Sequence, residues 1–152
     1  MKTLLVTLTL LSLSFIVSRA DRPLELDSGT YTFSWTDGAN EETFPVRLTA
    51  TIEARLSYLD RADIVIEPDG DNLLFNPGGK FVGYSSVVYA DGKMTSGDIA
   101  LSMTTINPQS MAIRTVHLKG TISNHSAKGE GSYFIDRNKR GDLKWTLTKV
   151  QD

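Results

Sequence analysis

The chain has 152 residues with no cysteine, 16 basic and 18 acidic side chains, and a formal net charge of −2 at pH 7. The missing cysteines exclude a disulfide scaffold and a thiolate metal site. A slightly acidic chain with scattered basic residues also argues against nucleic acid as the main partner.

Residues 1–20 have the pattern of a cleavable signal peptide. Lys2 supplies a basic start, residues 4–17 are apolar, and the small residues Ser18 and Ala20 stand just before Asp21. The apolar segment is shorter than the roughly 20 residues that a membrane-spanning helix needs. We therefore expect a signal peptide over residues 1–20 and one domain over residues 21–152, in a secreted or periplasmic protein. A secreted domain without disulfides fits a bacterial periplasm better than an animal secretory pathway.

The first predicted strand covers residues 29–36. Tyr31, Phe33 and Trp35 alternate there with threonine and serine, and aromatic and β-branched residues favour strands. Residues 37–40 are rich in Asp, Gly and Asn, which tolerate the backbone angles of a turn. The strand therefore leads into a hairpin.

The longest regular pattern covers residues 44–58. Apolar side chains occupy every even position, and polar side chains fill the odd positions after Pro45. Since side chains of a strand point alternately to opposite faces, this pattern predicts one buried and one solvated face. A strand this long suits a curled antiparallel sheet. The even positions are Phe44, Val46, Leu48, Ala50, Ile52, Ala54, Leu56 and Tyr58.

Shorter strands follow along the rest of the chain. Turn signals separate candidate strands at 62–67, 73–75, 80–90, 99–104, 111–123, 132–136 and 143–148. In the strand at 80–90, Val82 and Tyr84 share one parity and Val87 and Tyr89 the other. A β-bulge at residues 85–86 would bring both pairs to the same face, and we expect one there.

Eight or nine strands with short connections and no convincing helix predict an all-β fold. Because neighbours in sequence then pair in space, we expect a single antiparallel, up-and-down barrel of about eight strands, with a β-sandwich as the alternative. The architecture resembles the small calycin-like barrels in shape alone. The Gly-x-Trp opening of lipocalins is absent, since the equivalent residues here are Gly29, Thr30 and Tyr31.

Motifs for catalysis, cofactors or metals are missing from the sequence. The two histidines, His117 and His125, lack the spacing of zinc ligands, and no nucleophile motif or phosphate-binding loop occurs. These observations favour a protein without enzymatic activity, cofactor or metal. Asn124 begins a glycosylation sequon in a predicted turn, which matters only in a eukaryotic host.

Arg114 stands out among the charged residues. It has the same parity as Val116, Leu118 and Ile122, which places a guanidinium on the apolar face, where it needs a partner or an anionic ligand. A bulge near residues 113–115 would instead turn Arg114 to solvent and bring Met111 and Ile113 inside. We prefer the bulge, because curved strands often contain one.

The leading hypothesis for function is a non-enzymatic binding protein for a small lipophilic molecule. Barrels of this size are filled by side chains or hold one small ligand, and the candidate ligand-binding residues are Tyr31, Phe33, Trp35 and Arg114.

The alternative is a protein-interaction module with a filled barrel, such as an inhibitor, an immunity protein or an envelope-assembly partner. It would use the loops at residues 37–42 and 69–80. Bulky side chains packed across the barrel axis would favour this alternative. An outer-membrane barrel also fits the alternation, but the C-terminal residues lack an aromatic side chain and the chain is short, so we do not expect membrane embedding. The sequence leaves the oligomeric state open.

Overall fold

The computed structural model describes residues 22–75 and 78–151. The predicted signal peptide lies outside the described residues. Eight strands follow one another along the chain: β1 (Gly29–Thr36), β2 (Glu41–Arg55), β3 (Leu59–Pro68), β4 (Phe81–Ala90), β5 (Lys93–Ile106), β6 (Ile113–Ser123), β7 (Ser126–Ile135) and β8 (Asn138–Lys149). In the described part of the chain, no helix is long and apolar enough to cross a membrane.

The eight strands form a closed barrel in which every strand pairs antiparallel with its neighbours in sequence. β1 closes the barrel by pairing with β8, where Phe33 lies opposite Leu147. This arrangement confirms the predicted up-and-down barrel, in place of a sandwich. Residues 73–75, a candidate ninth strand, belong instead to the β3–β4 loop.

Aromatic rings fill the middle of the barrel. The ring of Phe33 lies 5.7–6.1 Å, between centroids, from the rings of Phe44, Phe75, Phe81 and Trp145. The Trp145 ring stacks on Phe33 at an interplanar angle of 7°. Aliphatic side chains from the other seven strands, β2 to β8, surround this cluster. Bulky side chains therefore pack across the barrel axis.

Gly120 makes room for Trp145. Gly120 and Gly129 lie opposite each other on β6 and β7, and a Cβ on Gly120 would come within 2.7 Å of the Trp145 ring. The indole Nε1 reaches over them and donates to the carbonyl oxygens of Lys119 and Glu130, at 3.3 and 3.2 Å. The missing side chain of Gly120 thus leaves space for the largest ring of the core, while that of Gly129 lets β6 and β7 approach closely, since a Cβ there would meet the backbone of Lys119 and Gly120.

The β3–β4 loop covers one end of the barrel, which we call the loop end. Leu74 and Phe75 from this loop are fully buried, and Asn72 Oδ1 accepts the backbone N–H of Phe75 at 2.7 Å. The loop end also carries the β1–β2 turn, the β5–β6 loop and the β7–β8 turn. The loop closes the mouth of the barrel at this end, because the side chains of Leu74 and Phe75 complete the core.

Residues 22–28, the N-terminal strap, cover the opposite end, which we call the terminal end. Leu26 is buried, Arg22 Nη2 lies 2.8 Å from Asp60 Oδ1, and Lys149 Nζ lies 2.6 Å from Asp27 Oδ2. The strap therefore crosses from β3 to β8 with an ion pair at each side.

The second half of β2 departs from the predicted alternation. The register against β3 shifts between Ile52 and Ala54, and Arg55, rather than an even-numbered residue, then lies opposite the buried Asp60. Ile52 itself is 50% exposed. The expectation that apolar burial continues through residue 58 was wrong. Ile52 is exposed although it lies opposite the buried Ala62, and beyond Ile52 a bulge reverses the parity of the strand.

The predicted bulge in β4 at residues 85–86 was also wrong. β4 pairs with β3 without interruption from Phe81 to Val88, and the register shifts only against β5, between Val88 and Tyr89. Val82 and Tyr84 therefore point outward and are 44% and 42% exposed.

Candidate functional site

The four predicted ligand-binding residues lie in different parts of the barrel. Tyr31 and Phe33 are fully buried and Trp35 is nearly so. The Tyr31 hydroxyl is at the terminal end, where it donates to the Asp27 carbonyl at 3.0 Å. Arg114 lies at the loop end, near the start of β6. The structure therefore does not bring all four residues together, although Trp35 and Arg114 approach the same loop.

Glu42 joins the β1–β2 hairpin to the β3–β4 loop. Its Oε2 accepts the indole N–H of Trp35 at 2.9 Å. The same carboxylate accepts the backbone N–H of Leu73, at 3.0 Å from Oε1 and 3.1 Å from Oε2. No sequence pattern singles out Glu42, because its partner on the loop is 31 residues away.

Arg114 holds the same loop from the other side. β6 pairs with β5 and β7 without a register shift, so the bulge that we preferred near residues 113–115 does not form. Arg114 keeps the parity of the buried Val116 and donates from Nη1 to the Leu73 carbonyl at 2.8 Å. Burial lowers the pKa of Arg114, an effect that Tyr133 and Glu42 oppose.

Leu73 is thus bound through both of its backbone polar groups, yet its side chain is exposed. Three other large apolar side chains at the loop end are exposed as well, and Ile106 and Ile113 lie directly opposite each other on β5 and β6. We call these four residues the apolar rim: Leu73, Ile106, Met111 and Ile113, with exposed fractions between 45% and 69%. The predicted interaction loop at residues 69–80 supplies one of them.

Charged side chains surround the apolar rim unevenly. Residues 37–42 and 69–80 contain five carboxylates and one lysine, whereas residues 137–140 of β8 and its turn contain three basic residues and no acid. The Asp37 carboxylate caps its own turn, and hydrogen bonds from the backbone of Asn40 and Ala39 lower its pKa. The acidic residues are Asp37, Glu41, Glu42, Asp69 and Asp71, and the basic ones are Arg137, Lys139 and Arg140.

A polar groove of about 800 Å³ lies outside the barrel, between β6–β8 and the β1–β2 turn. It contains His117, Ser132 and Asp142, the residue types of a hydrolytic triad. However, Ser132 Oγ donates to Asp142 at 2.6 Å, and the His117 ring packs edge-on against Phe134. A triad requires the histidine to accept the serine proton, so this arrangement does not prepare a nucleophile.

Histidines and carboxylates do not gather into a metal site in residues 22–75 and 78–151, where no group of three or more ligand side chains could hold an ion. His125 instead lies with Nδ1 3.0 Å from the Glu25 carbonyl oxygen of the N-terminal strap. The loop end, with its apolar rim and clamped loop, is therefore the strongest candidate site.

Comparison with known proteins finds no matching protein family, no matching curated protein and no matching solved structure.

Proposed function

We propose that the protein is a non-enzymatic interaction module whose loop end binds another protein. One observation carries the proposal: the barrel interior is packed with aromatic and aliphatic side chains, while four large apolar side chains are exposed around the closed mouth. Exposed apolar residues that lie together within a polar surround, as Ile106 and Ile113 do on neighbouring strands, are typical of protein-binding surfaces. Export from the cytoplasm, as the first 20 residues predict, would make the protein a secreted or periplasmic binding partner.

The clamped conformation of Leu73 supports this proposal on energetic grounds. Binding usually requires loops and side chains to be ordered, at about 0.5–1.5 kcal/mol for each mobile side chain. Glu42 and Arg114 already fix the Leu73 backbone through its N–H and its carbonyl. A loop whose backbone is held in this way loses less freedom when a partner covers Leu73, as is expected of a binding anchor.

Site-specific photo-crosslinking in the native host tests this proposal. A photoreactive residue at position 73 should yield a discrete adduct with a protein, and Ile113→Asp should abolish that adduct. The same photoreactive residue at position 82, on the outer face of β4, is the matched control, because Val82 is also apolar and exposed. Equal adducts at both positions, or none at position 73, would refute an interface at the loop end.

A small lipophilic ligand is the second candidate, and the inward parity of Arg114 favours it. We propose that such a ligand would enter at the loop end, contact Trp35 and Phe33, and place an anionic group near Arg114. Leu74 and Phe75 would have to leave the mouth first, because both are buried there. Phe75→Ala should then increase the uptake of a fluorescent fatty acid, and an unchanged uptake would remove this candidate.

A further inference from the structure

Every hydrogen bond that fixes the N-terminal strap to the barrel involves a side chain. Within the part of the chain that the structure describes, no hydrogen bond joins the strap backbone to the backbone of another segment. A segment without such a backbone ladder opens at a lower free-energy cost than the strands of a sheet. The strap can therefore open while the strands keep the barrel closed. The side chains that make its hydrogen bonds are those of Arg22, Asp27, Ser28, Tyr31, His125 and Lys149.

Arg22 fixes the start of the strap. Its Nε and Nη2 donate to the Asp60 carboxylate at 3.3 and 2.8 Å, and Nη2 also donates to the Leu56 carbonyl at 3.3 Å. The guanidinium carbon lies 3.5 Å from the centroid of the Tyr89 ring. Asp60 is buried, and a buried carboxylate that loses its basic partner is strongly destabilising. Opening of the strap at this point therefore requires another partner for Asp60.

Arg55 is placed to be that partner. It lies opposite Asp60 in the register of β2 and β3, with Nε 3.7 Å from Asp60 Oδ1, which is too far for a hydrogen bond. Nε and Nη2 of Arg55 are buried and have no hydrogen-bond partner among the described residues. These two nitrogens form one edge of the guanidinium, and such an edge can bind a carboxylate through two parallel hydrogen bonds. Arg22 already occupies the carboxylate, so the closed strap leaves Arg55 unsatisfied.

We propose that the strap is a lid over the terminal end, and that Arg55 takes over Asp60 when the lid opens. Asp60 pairs with Arg22 in the closed state and with Arg55 in the open state, so the buried carboxylate has a basic partner in both. The exchange offsets part of the cost of opening, because Arg55 gains the hydrogen bonds that it lacks under the closed strap. An element with two alternative sets of partners is typical of conformational switches.

Opening of the lid uncovers a site that the closed strap hides. Leu26 is the one buried residue of the strap, so its departure leaves an apolar recess at the terminal end, where the pair of Asp60 and Arg55 also lies. The loop end keeps its structure, because none of its connections contacts the strap through a hydrogen bond in the described residues. The lid therefore controls access to the terminal end alone, and it is independent of the interface proposed at the loop end.

Thiol labelling of a single introduced cysteine tests the lid, because the chain has no cysteine of its own. Leu26→Cys places a thiol under the strap and Leu118→Cys places one in the core on β6, where both leucines are buried. Under native conditions a soluble thiol reagent should modify Leu26→Cys about a hundredfold faster than Leu118→Cys, since only the second thiol has to wait for the barrel to unfold. Equal rates would refute the lid.

A second substitution separates the exchange of partners from a purely structural role of Arg55. In the Leu26→Cys chain, Arg55→Met should slow labelling about threefold or more, because Asp60 then has no basic partner in the open state. If Arg55 only helped to hold Asp60 beneath the strap, the same change would speed labelling. Arg47→Met is the matched control, because Arg47 lies on the exposed face of the same strand, and it should leave the labelling rate unchanged.

Each outcome supports or refutes the proposal. Faster labelling at position 26 than at position 118, together with slower labelling after Arg55→Met, supports the lid and the exchange. An unchanged or faster rate after Arg55→Met refutes the exchange, as does equal slowing by Arg47→Met. The loop-end interface is judged separately by the photo-crosslink from position 73, which these substitutions at the terminal end should leave intact.

Discussion

Glu42 illustrates how one carboxylate can fix two separate parts of the chain. It accepts one hydrogen bond from the Trp35 indole N–H, and its two oxygens share the backbone N–H of Leu73. Hydrogen bonds to a charged group contribute about 1.5–3 kcal/mol, more than those between neutral groups. Removing the carboxylate would leave the nearly buried indole N–H without a partner and would free the loop that closes the mouth.

Glu42→Ala should therefore lower the free energy of unfolding by about 2 kcal/mol, since a buried donor left without an acceptor costs about 1–3 kcal/mol. Urea unfolding followed by tryptophan fluorescence measures this change. Glu41→Ala is the control, because Glu41 is exposed and surface changes of this kind stay within about 0.5 kcal/mol. Equal losses in the two variants would contradict the bridging role of Glu42.

Gly129 offers a second test at the scale of single residues. A Cβ at this position would lie 1.9 Å from the Lys119 carbonyl oxygen and 2.5 Å from the Cα of Gly120. Since both atoms belong to the backbone, β6 and β7 would have to separate, and Gly129→Ala should cost about 3 kcal/mol or more. Thermal unfolding should show a large drop in midpoint.

Gly29→Ala is the matched control for that substitution. Its Cβ would meet only the end of the Lys149 side chain, at an ordinary distance of 3.6 Å. The variant should unfold within a few degrees of the unmodified protein. A stable Gly129→Ala protein would show that β6 and β7 do not approach as closely as the structure has them.

Plain alternation indicated the side of the sheet that Arg114 occupies, but we preferred a bulge that does not form, and the sequence did not indicate the partner of Arg114. Alternation is local, so it correctly placed Arg114 with Val116 and Leu118. The partner, the Leu73 carbonyl, is 41 residues away in a loop whose path depends on the finished barrel. The apolar rim was hidden for the same reason, because no local pattern distinguishes an exposed apolar residue in a loop from a buried one.

At the scale of elements, β2 shows where a periodic pattern stops being informative. The apolar even positions continue to residue 58 in the sequence, but even-numbered side chains of β2 are partly or fully buried only from Phe44 to Ala50, and Ile52 is exposed. Beyond that point the bulge between Ile52 and Ala54 turns Arg55 toward the buried Asp60. A bulge depends on pairing with β3, which the pattern of β2 alone does not contain.

Ile64→Asp and Ile52→Asp distinguish the structure from simple alternation. Ile64 on β3 is fully buried, whereas Ile52 on β2 is half exposed. Ile64→Asp buries an unpaired charge and should unfold a domain whose total stability is about 5–15 kcal/mol. Ile52→Asp should stay folded by circular dichroism. Unfolding of both variants would instead support the burial of the even-numbered side chains of β2 through residue 58.

The N-terminal strap has a pH dependence that follows from its ion pair with β8. Burial alone raises the pKa of Asp27, but the hydrogen bond and the charge of Lys149, together with bonds from Tyr31 and the backbone, outweigh burial and lower it below 3.8. A lowered carboxyl pKa stabilises the folded state above the ordinary pKa, and this stabilisation is lost as the pH falls through the lowered value.

Lys149→Gln should therefore reduce stability to urea at pH 7, and the difference from the unmodified protein should shrink as the pH falls below about 4. Lys144→Gln, on the same strand but without an ion pair in the described residues, should have no effect at either pH. A Lys149→Gln deficit that stays constant down to pH 2 would exclude the Asp27 pair as its cause.

At the scale of the whole molecule, the sequence predicted the barrel architecture better than the way in which the barrel interior is filled. Short turns between alternating strands were enough to predict an up-and-down barrel. How the mouth of the barrel is filled depended on the loop at residues 69–80, which supplies Leu74 and Phe75 to the core. The predicted brief strand at residues 73–75 had the right apolar character, but only the closed barrel gave that segment a place inside the mouth.

Native mass spectrometry of the protein purified from its own host tests the proposal that a filled barrel acts through its loop end. We expect a protein ion with the mass of the processed chain alone, accompanied by a protein complex that Ile113→Asp removes. The Ile113→Asp chain should itself remain folded, because Ile113 is 45% exposed. A small lipophilic molecule retained in stoichiometric amount by the unmodified protein, and still retained by Ile113→Asp, would contradict the account.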